Sequence, residues 1–434
     1  MKQQSCFRDF SRYTALSVLG TLGVSCYILA DTYFVSKGLG TNGLTALNLA
    51  IPVYNFIHGT GLMLGMGGAT KFSVCKGLNK KTEGDRIYTN TIYLALLFSL
   101  LFVLTGAFIS KQLSLLLGAD PGILAMTNTY IHWLLLFSPA FILNDILLCF
   151  VRNDESPQLS MFAMLAGSFS NIILDYIFIF PMKMGIFGAV FATGLSPVIS
   201  IAIMLLHWLK RKNTFHLVKT KPEGAIIRQD LLLGFPSFIA QLASGIVMIT
   251  FNTIILELEG NTGVAAYGVI ANISLVITSV YTGIAQGAQP LISSSYGKGN
   301  TKQIQSLLQY AMTTMLVLSC LVYVLIFIFA QPVTWVFNSE QNPELQQIAV
   351  SGLRLYFTSS VFAGYNIILA IYFTSVERPL PAHILSILRG LILIIPMTFV
   401  LSAIWNMTGI WLSYPVTELL AAALGHRIYK HVIC

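Results

Sequence analysis

Apolar residues in this chain occur in runs of about twenty or more, and short polar or Gly- and Pro-containing connectors separate one run from the next. A run of that length lets an α-helix cross the hydrocarbon core of a bilayer, which is about 30 Å thick. Transmembrane β-strands alternate in segments of about 10 residues, so a β-barrel is not predicted. The pattern predicts twelve transmembrane helices, at 13–36, 44–72, 87–110, 124–150, 158–181, 186–209, 231–256, 264–293, 305–329, 346–374, 382–404 and 408–430.

Composition supports the same fold class. Of the 434 residues, 55% are hydrophobic and only 10% are charged, whereas a soluble domain carries about 25% charged residues. The sequence therefore predicts an all-α polytopic membrane protein.

The basic residues predict how the helices are oriented. Lys and Arg concentrate in the amino-terminal head, in the connection 71–86 and in the connection 210–228, all on one side of a twelve-span protein. The opposite side has only Lys37, Lys111 and Lys183. The positive-inside rule then places both termini in the cytoplasm. The net charge of +8 is a topology signal, and nucleic acid is not an expected partner.

The longest polar connection, residues 209–230, divides the chain into two groups of six spans. We expect an amino-terminal lobe at 1–208, a cytoplasmic linker at 209–230 and a carboxy-terminal lobe at 231–434. Glycines recur between the halves at a constant offset of 220 residues, as in the pairs Gly40/Gly260, Gly67/Gly287 and Gly77/Gly297. Two six-helix halves in the same orientation would be related by a pseudo-two-fold axis along the membrane normal.

Four acids lie inside predicted spans, where a charged side chain costs about 2.5–3.5 kcal/mol on insertion scales. They are Asp31, Asp145, Asp175 and Glu418. Asn171 precedes Asp175 by four residues and so shares its helix face, and the next span carries Thr193. If spans one, five and six line one cavity, then Asp31, Asn171, Asp175 and Thr193 could bind Na⁺ through oxygen ligands or hold a proton.

A purely structural role remains open for these acids, which could simply hydrogen-bond neighbouring helices. Asp145 has no evident partner in sequence, and Arg389 is a conceivable partner for Glu418. We treat both acids, with Arg389, as accessory candidates. The isolated histidines, among them His58, are expected to be packed or interfacial residues.

The chain contains no HExxH, GxSxG, Walker A or CxxC motif, so neither an enzyme nor an ATP-driven pump is predicted. No organic cofactor is expected. Energy for transport would then come from an ion gradient, since one charge crossing 100 mV is worth about 2.3 kcal/mol.

Several motifs, in order, resemble those of the multidrug and toxic compound extrusion (MATE) transporters, in particular their bacterial MepA/DinF-like branch. They are ADTYFV at 30–35, RNDESP at 152–157, NIILD at 171–175, GAVFAT at 188–193 and GIWLSYPVTE at 409–418. The resemblance implies two lobes around a central cavity and rocker-switch exchange of H⁺ or Na⁺ for an organic, often cationic, compound. It also implies a coupling site at Asp31, Asn171, Asp175 and Thr193.

Two departures from the family pattern affect this expectation. The proline that many members have in span one is Leu16 here, so Gly20 and Gly23 could loosen that helix instead. The second-lobe acid of some subfamilies is also missing, since span seven offers only Gln241, a further accessory candidate. The expected partners are a small organic substrate and membrane lipid, and the expected state is a monomer. A flippase for a lipid-linked precursor, from the same superfamily, is the alternative function.

Overall fold

The computed structural model describes residues 2–338 and 341–433. Within these ranges the chain forms thirteen α-helices and no β-strand. The helices are α1 Lys2–Gly77, α2 Lys81–Leu116, α3 Leu124–Leu136, α4 Ser138–Asn153, α5 Pro157–Ile179, α6 Gly185–Met204, α7 Leu206–Leu209, α8 Gly224–Gly297, α9 Thr301–Phe337, α10 Pro343–Tyr356, α11 Ser360–Ser375, α12 Pro379–Ile387 and α13 Ile394–Ile433.

Three long helical stretches in the described residues each contain a sharp break at a residue with positive φ. Gly40 in α1 (φ 67°, ψ −161°) and Gly260 in α8 (φ 58°, ψ −151°) adopt a conformation open to glycine but strained for other residues. In α13 the break falls at Asn406 (φ 49°), a residue type that tolerates positive φ. The connectors expected around 40 and 260 are thus reduced to one non-helical residue each, and every break divides its stretch into two passes.

Eight helical stretches in the described residues are long and apolar enough to span a membrane, and the pair α3 and α4, bent by 49°, makes a ninth. The three broken stretches contribute two passes apiece, which gives the twelve passes predicted from the sequence. Below, the first arm of α1 is 2–39 and its second arm is 41–77; the first arm of α8 is 224–259 and its second arm is 261–297.

Two hydrophobic cores form, one mainly from side chains of the amino-terminal half and one mainly from those of the carboxy-terminal half. Between them, residues 210–223 have no helix, and α8 begins at Gly224, inside the segment expected to be a connector. Phe215 of this connection is fully buried in the first core. The lobe boundaries at 208 and 231 remain a prediction.

The two halves meet along a seam in which glycines allow backbone to approach backbone. In the second arm of α8, a Cβ at Gly287 would lie 2.6 Å from Thr14 Cα, and one at Gly283 would lie 2.6 Å from Val18 Cα. The first arm of α8 and the second arm of α1 are equally close, because a Cβ at Gly234 would collide with the Met63 carbonyl.

Polar side chains close the seam at the end that carries the basic connections. Lys71 Nζ pairs with Glu377 Oε1 at 2.8 Å. The buried Arg152 donates from Nη1 to Gln286 Oε1 over 2.8 Å. These bonds join the two halves, so the seam is closed at this end of the molecule.

Candidate cation site

The carboxyl groups of Asp31 and Asp175 lie next to each other. Asp31 belongs to the first arm of α1 and Asp175 to α5, which pack together. Asp31 is 7% exposed and Asp175 is fully buried. Two carboxylates at this distance repel each other strongly in a low-dielectric interior, so the pair requires a proton or another cation.

Asn171 and Thr193 complete the cluster. The Asn171 amide can form hydrogen bonds with both of its neighbours in only one orientation. In that orientation its nitrogen donates to Asp175 Oδ2 over 3.1 Å, and its oxygen accepts from the Thr193 backbone N–H over 3.3 Å. The Thr193 hydroxyl donates to the Ala189 carbonyl over 3.0 Å. The structure therefore brings together the four residues picked from three separate predicted spans.

Two oxygen atoms in this cluster accept no hydrogen bond from a donor in the described residues. They are Asp31 Oδ1 and Asp175 Oδ1, which are both buried, although buried polar atoms are nearly always hydrogen-bonded. Carboxylate, amide and hydroxyl oxygens suit Na⁺, and the same carboxyl pair can hold a proton. The residues therefore fit either coupling ion.

Gly20 and Gly23 serve helix packing in this structure. A Cβ at Gly20 would lie 2.8 Å from Met164 Sδ, and one at Gly23 would lie 2.6 Å from Leu165 Cδ2. The first arm of α1 continues as α-helix past both residues and past Leu16. These glycines thus bring the helix of Asp31 against that of Asp175.

Asp145 has a partner that sequence reasoning missed. His58 Nδ1 lies 2.8 Å from Asp145 Oδ2, and the histidine side chain is 23% exposed while the aspartate is 4% exposed. The His58 ring stacks on Tyr54, whose hydroxyl lies 2.7 Å from that of Tyr27. His58 and Asp145 are 87 residues apart and no local motif links them, so only the packing of α1 against α4 reveals the pair.

The remaining accessory candidates lie apart from the four clustered residues. Gln241 lies next to Gly59, where the first arm of α8 meets the second arm of α1. Glu418 is buried in α13 and forms an ion pair with Arg389.

A second charged cluster, outside the membrane spans, surrounds Asp154 at the end of α4. Its carboxylate pairs with Lys76 and His207, each at 2.9 Å, and accepts from the Thr214 backbone N–H over 2.7 Å. Burial alone would raise the pKa of Asp154, but the bonds from His207, Thr214 and Lys76 outweigh burial and lower the pKa to about 2. This cluster fastens the 210–223 connection to the first half of the chain.

A helical fold of twelve passes defines a multi-pass membrane protein. The MatE family model matches residues 17–177 and 236–400, and the chain belongs to that family, whose members are transporters rather than enzymes. Curated relatives include the multidrug export protein MepA of Staphylococcus saprophyticus, 25% identical over 97% of this chain and 93% of its own. MepA of Staphylococcus aureus is 25% identical over 96% of this chain and 92% of its own.

Solved structures show the same fold. An outward-facing multidrug resistance MATE transporter superposes with a TM-score of 0.92, at 24% identity, over 98% of this chain and 95% of its own. A MOP superfamily transporter from Pyrococcus furiosus, described as having a binding pocket of reverse polarity, gives a TM-score of 0.91 at 24% identity, with 98% and 95% coverage. The fold class predicted from the sequence, two six-helix pseudo-symmetric lobes, is confirmed.

Proposed function

We propose that the protein exports organic small molecules, cationic ones in the first place, across a bacterial cytoplasmic membrane in exchange for H⁺ or Na⁺. The carboxyl pair of Asp31 and Asp175 supports this proposal most directly. Each carboxyl group has an oxygen that no donor reaches, and the pair has no basic side chain among its hydrogen-bonding partners in the described residues. One positive charge, from H⁺ or Na⁺, would therefore relieve the repulsion within the pair.

Cation binding would be linked to export through the two helices that carry the acids. Asp31 lies on the first arm of α1, and the same arm forms part of the seam through Thr14 and Val18. Neutralising the carboxyl pair removes the repulsion between the first arm of α1 and α5. In this proposal the resulting shift of the arm loosens the seam, and rocking of the two halves exposes the cavity to the other side.

The names of the relatives support drug export, since the matched proteins are multidrug export proteins. A flippase for lipid-linked precursors is not favoured, because these matches cover nearly the whole chain. We further propose cytoplasmic termini, a lipid-embedded monomer and lobes divided at the 209–230 connection.

The test is transport by purified protein in proteoliposomes with the membrane potential clamped. A pH gradient and a Na⁺ gradient are imposed separately while efflux of a fluorescent organic cation is followed. One of the two gradients should drive efflux against the substrate gradient. Substrate movement unaffected by either gradient would contradict coupled antiport.

A further inference from the structure

The carboxy-terminal half contains a buried acid whose charge is already matched by a base. Arg389 Nη2 donates to Glu418 Oε1 over 2.7 Å, and Arg389 Nε lies 3.1 and 3.2 Å from the two carboxylate oxygens. Asn366 Nδ2 donates to Glu418 Oε2 over 2.7 Å. Glu418 is 1% exposed, and both of its oxygens have partners.

Local backbone structure holds the guanidinium in this position. Arg389 lies in a single π-helical turn, Leu388–Ile392, a feature that is frequent at functional sites. The adjacent Gly390 is buried, and a Cβ there would lie 2.5 Å from Ala243 Cβ, so the turn packs closely on the first arm of α8. Tyr414 lies beside the ion pair and stacks on Tyr356, with ring centroids 4.6 Å apart.

The offset of 220 residues allows a comparison with the site in the other half. At this offset Asp31 corresponds to Phe251, which is fully buried. Residues 379–405, which begin at Pro379 as α5 begins at Pro157, contain no acid, so the second half does not repeat the carboxyl pair. It has instead the buried acid Glu418 with its own arginine.

We propose that Arg389 is a built-in cation that occupies the carboxylate of Glu418 and prevents the second half from taking up a coupling ion. An arginine side chain keeps its proton in proteins, so this pair does not load and unload, whereas Asp31 and Asp175 can. Arg389 thereby sets the number of ions exchanged for each substrate. The inference rests on the proposed function, in which cation loading drives export.

The test counts cations bound by the full-length protein in detergent. Na⁺ binding is measured by titration calorimetry at fixed pH, and H⁺ uptake is measured with a pH dye in weak buffer. The D31N/D175N variant, which retains Arg389, should lose all the binding shown by wild type. Adding R389Q should expose Glu418 and restore one cation per molecule, while R389K, which keeps the charge, should restore none.

A second measurement does not depend on counting ions. The R389A variant should leave a hole of guanidinium shape, so millimolar guanidinium should raise its melting temperature. The same additive should not stabilise wild type or R389A/E418Q, which lacks the carboxylate. If R389A and R389Q fail to fold, the D31N/D175N variant still decides the question through its residual binding.

The outcomes separate this inference from the proposed function. Residual cation binding in D31N/D175N that E418Q abolishes would overturn the inference, as would R389Q without any gained cation. Equal binding by wild type and D31N/D175N would instead overturn the proposed coupling site. In that case, an additional cation bound after the R389Q change would still show that Arg389 blocks binding at Glu418.

Discussion

Gly77 and Gly297 lie against each other where the two halves of the chain meet. A Cβ on Gly77 would lie 3.1 Å from Gly297 Cα, and one on Gly297 would lie 3.2 Å from Gly77 Cα. The added atoms would also collide with the carbonyls of Ser294 and Val74 respectively, which are themselves related by the offset of 220 residues. The two glycines are thus each other's equivalents and meet at the pseudo-two-fold axis.

This reciprocal contact explains why glycine recurs at matched positions in the two halves. Helices that cross this closely need small residues on both sides. The seam is also where the halves must separate if the molecule rocks, so its glycines are positions at which added volume would favour the separated state.

Gly287 provides a test of the seam. The G287A variant adds a methyl group against the Thr14 backbone, and overpacking of this kind costs about 1–3 kcal/mol. We expect the closed-seam state to lose population, seen as a longer distance between spin labels at Lys80 and Lys302, in a background free of native cysteines. Gly268, in the same arm of α8, has no atom within 4 Å of an added Cβ, so G268A is the matched control. Equal distances in both variants would argue against a steric role for the seam.

The pair of His58 and Asp145 is expected to behave as one unit in stability measurements. Removing either side chain leaves a buried polar partner unsatisfied, which costs about 1–3 kcal/mol. The double variant H58Q/D145N should lose less stability than the sum of the losses in H58Q and D145N, because no charged side chain is then left without its partner. Thermal unfolding in detergent measures the effect, and strictly additive losses would show that the two side chains do not interact.

Asp154 gives a prediction with a defined pH window. Its pKa is lowered from 3.8 to about 2 in the folded protein, so its ionised form contributes about 2 kcal/mol at neutral pH. That contribution is fully present above the unfolded pKa near 3.8 and is lost as the pH falls through about 2. D154N should therefore lower the unfolding temperature at pH 7, and its difference from wild type should shrink between about pH 4 and pH 2.

Glu155 supplies the control for this measurement. It also pairs with Lys76, at 3.1 Å, but its side chain is 77% exposed. An exposed pair of this kind contributes little, so E155Q should unfold close to the wild-type temperature. A D154N difference that does not change with pH would contradict the role given to the Asp154 charge.

The sequence predicted the fold class well because each span is long and apolar and the basic residues concentrate in the connections on one side. It also grouped Asp31, Asn171, Asp175 and Thr193, since a carboxylate within an apolar run is conspicuous. It did not indicate the partner of Asp145, because His58 lies on a different helix and becomes a neighbour only through packing. The π-helical turn at Arg389, which packs on Ala243 through Gly390, also depends on tertiary contacts that no periodicity encodes.

The central claim is that the carboxyl pair of Asp31 and Asp175 binds the cation that drives export. The most direct measurement is gradient-driven efflux from proteoliposomes containing D31N or D175N, each compared with D120N, which changes an exposed acid on the loop before α3. We predict that D31N and D175N fold normally but lose coupled efflux, and that D120N retains it. Full gradient-driven efflux by D31N or D175N, at the same amount of reconstituted protein, would contradict the claim.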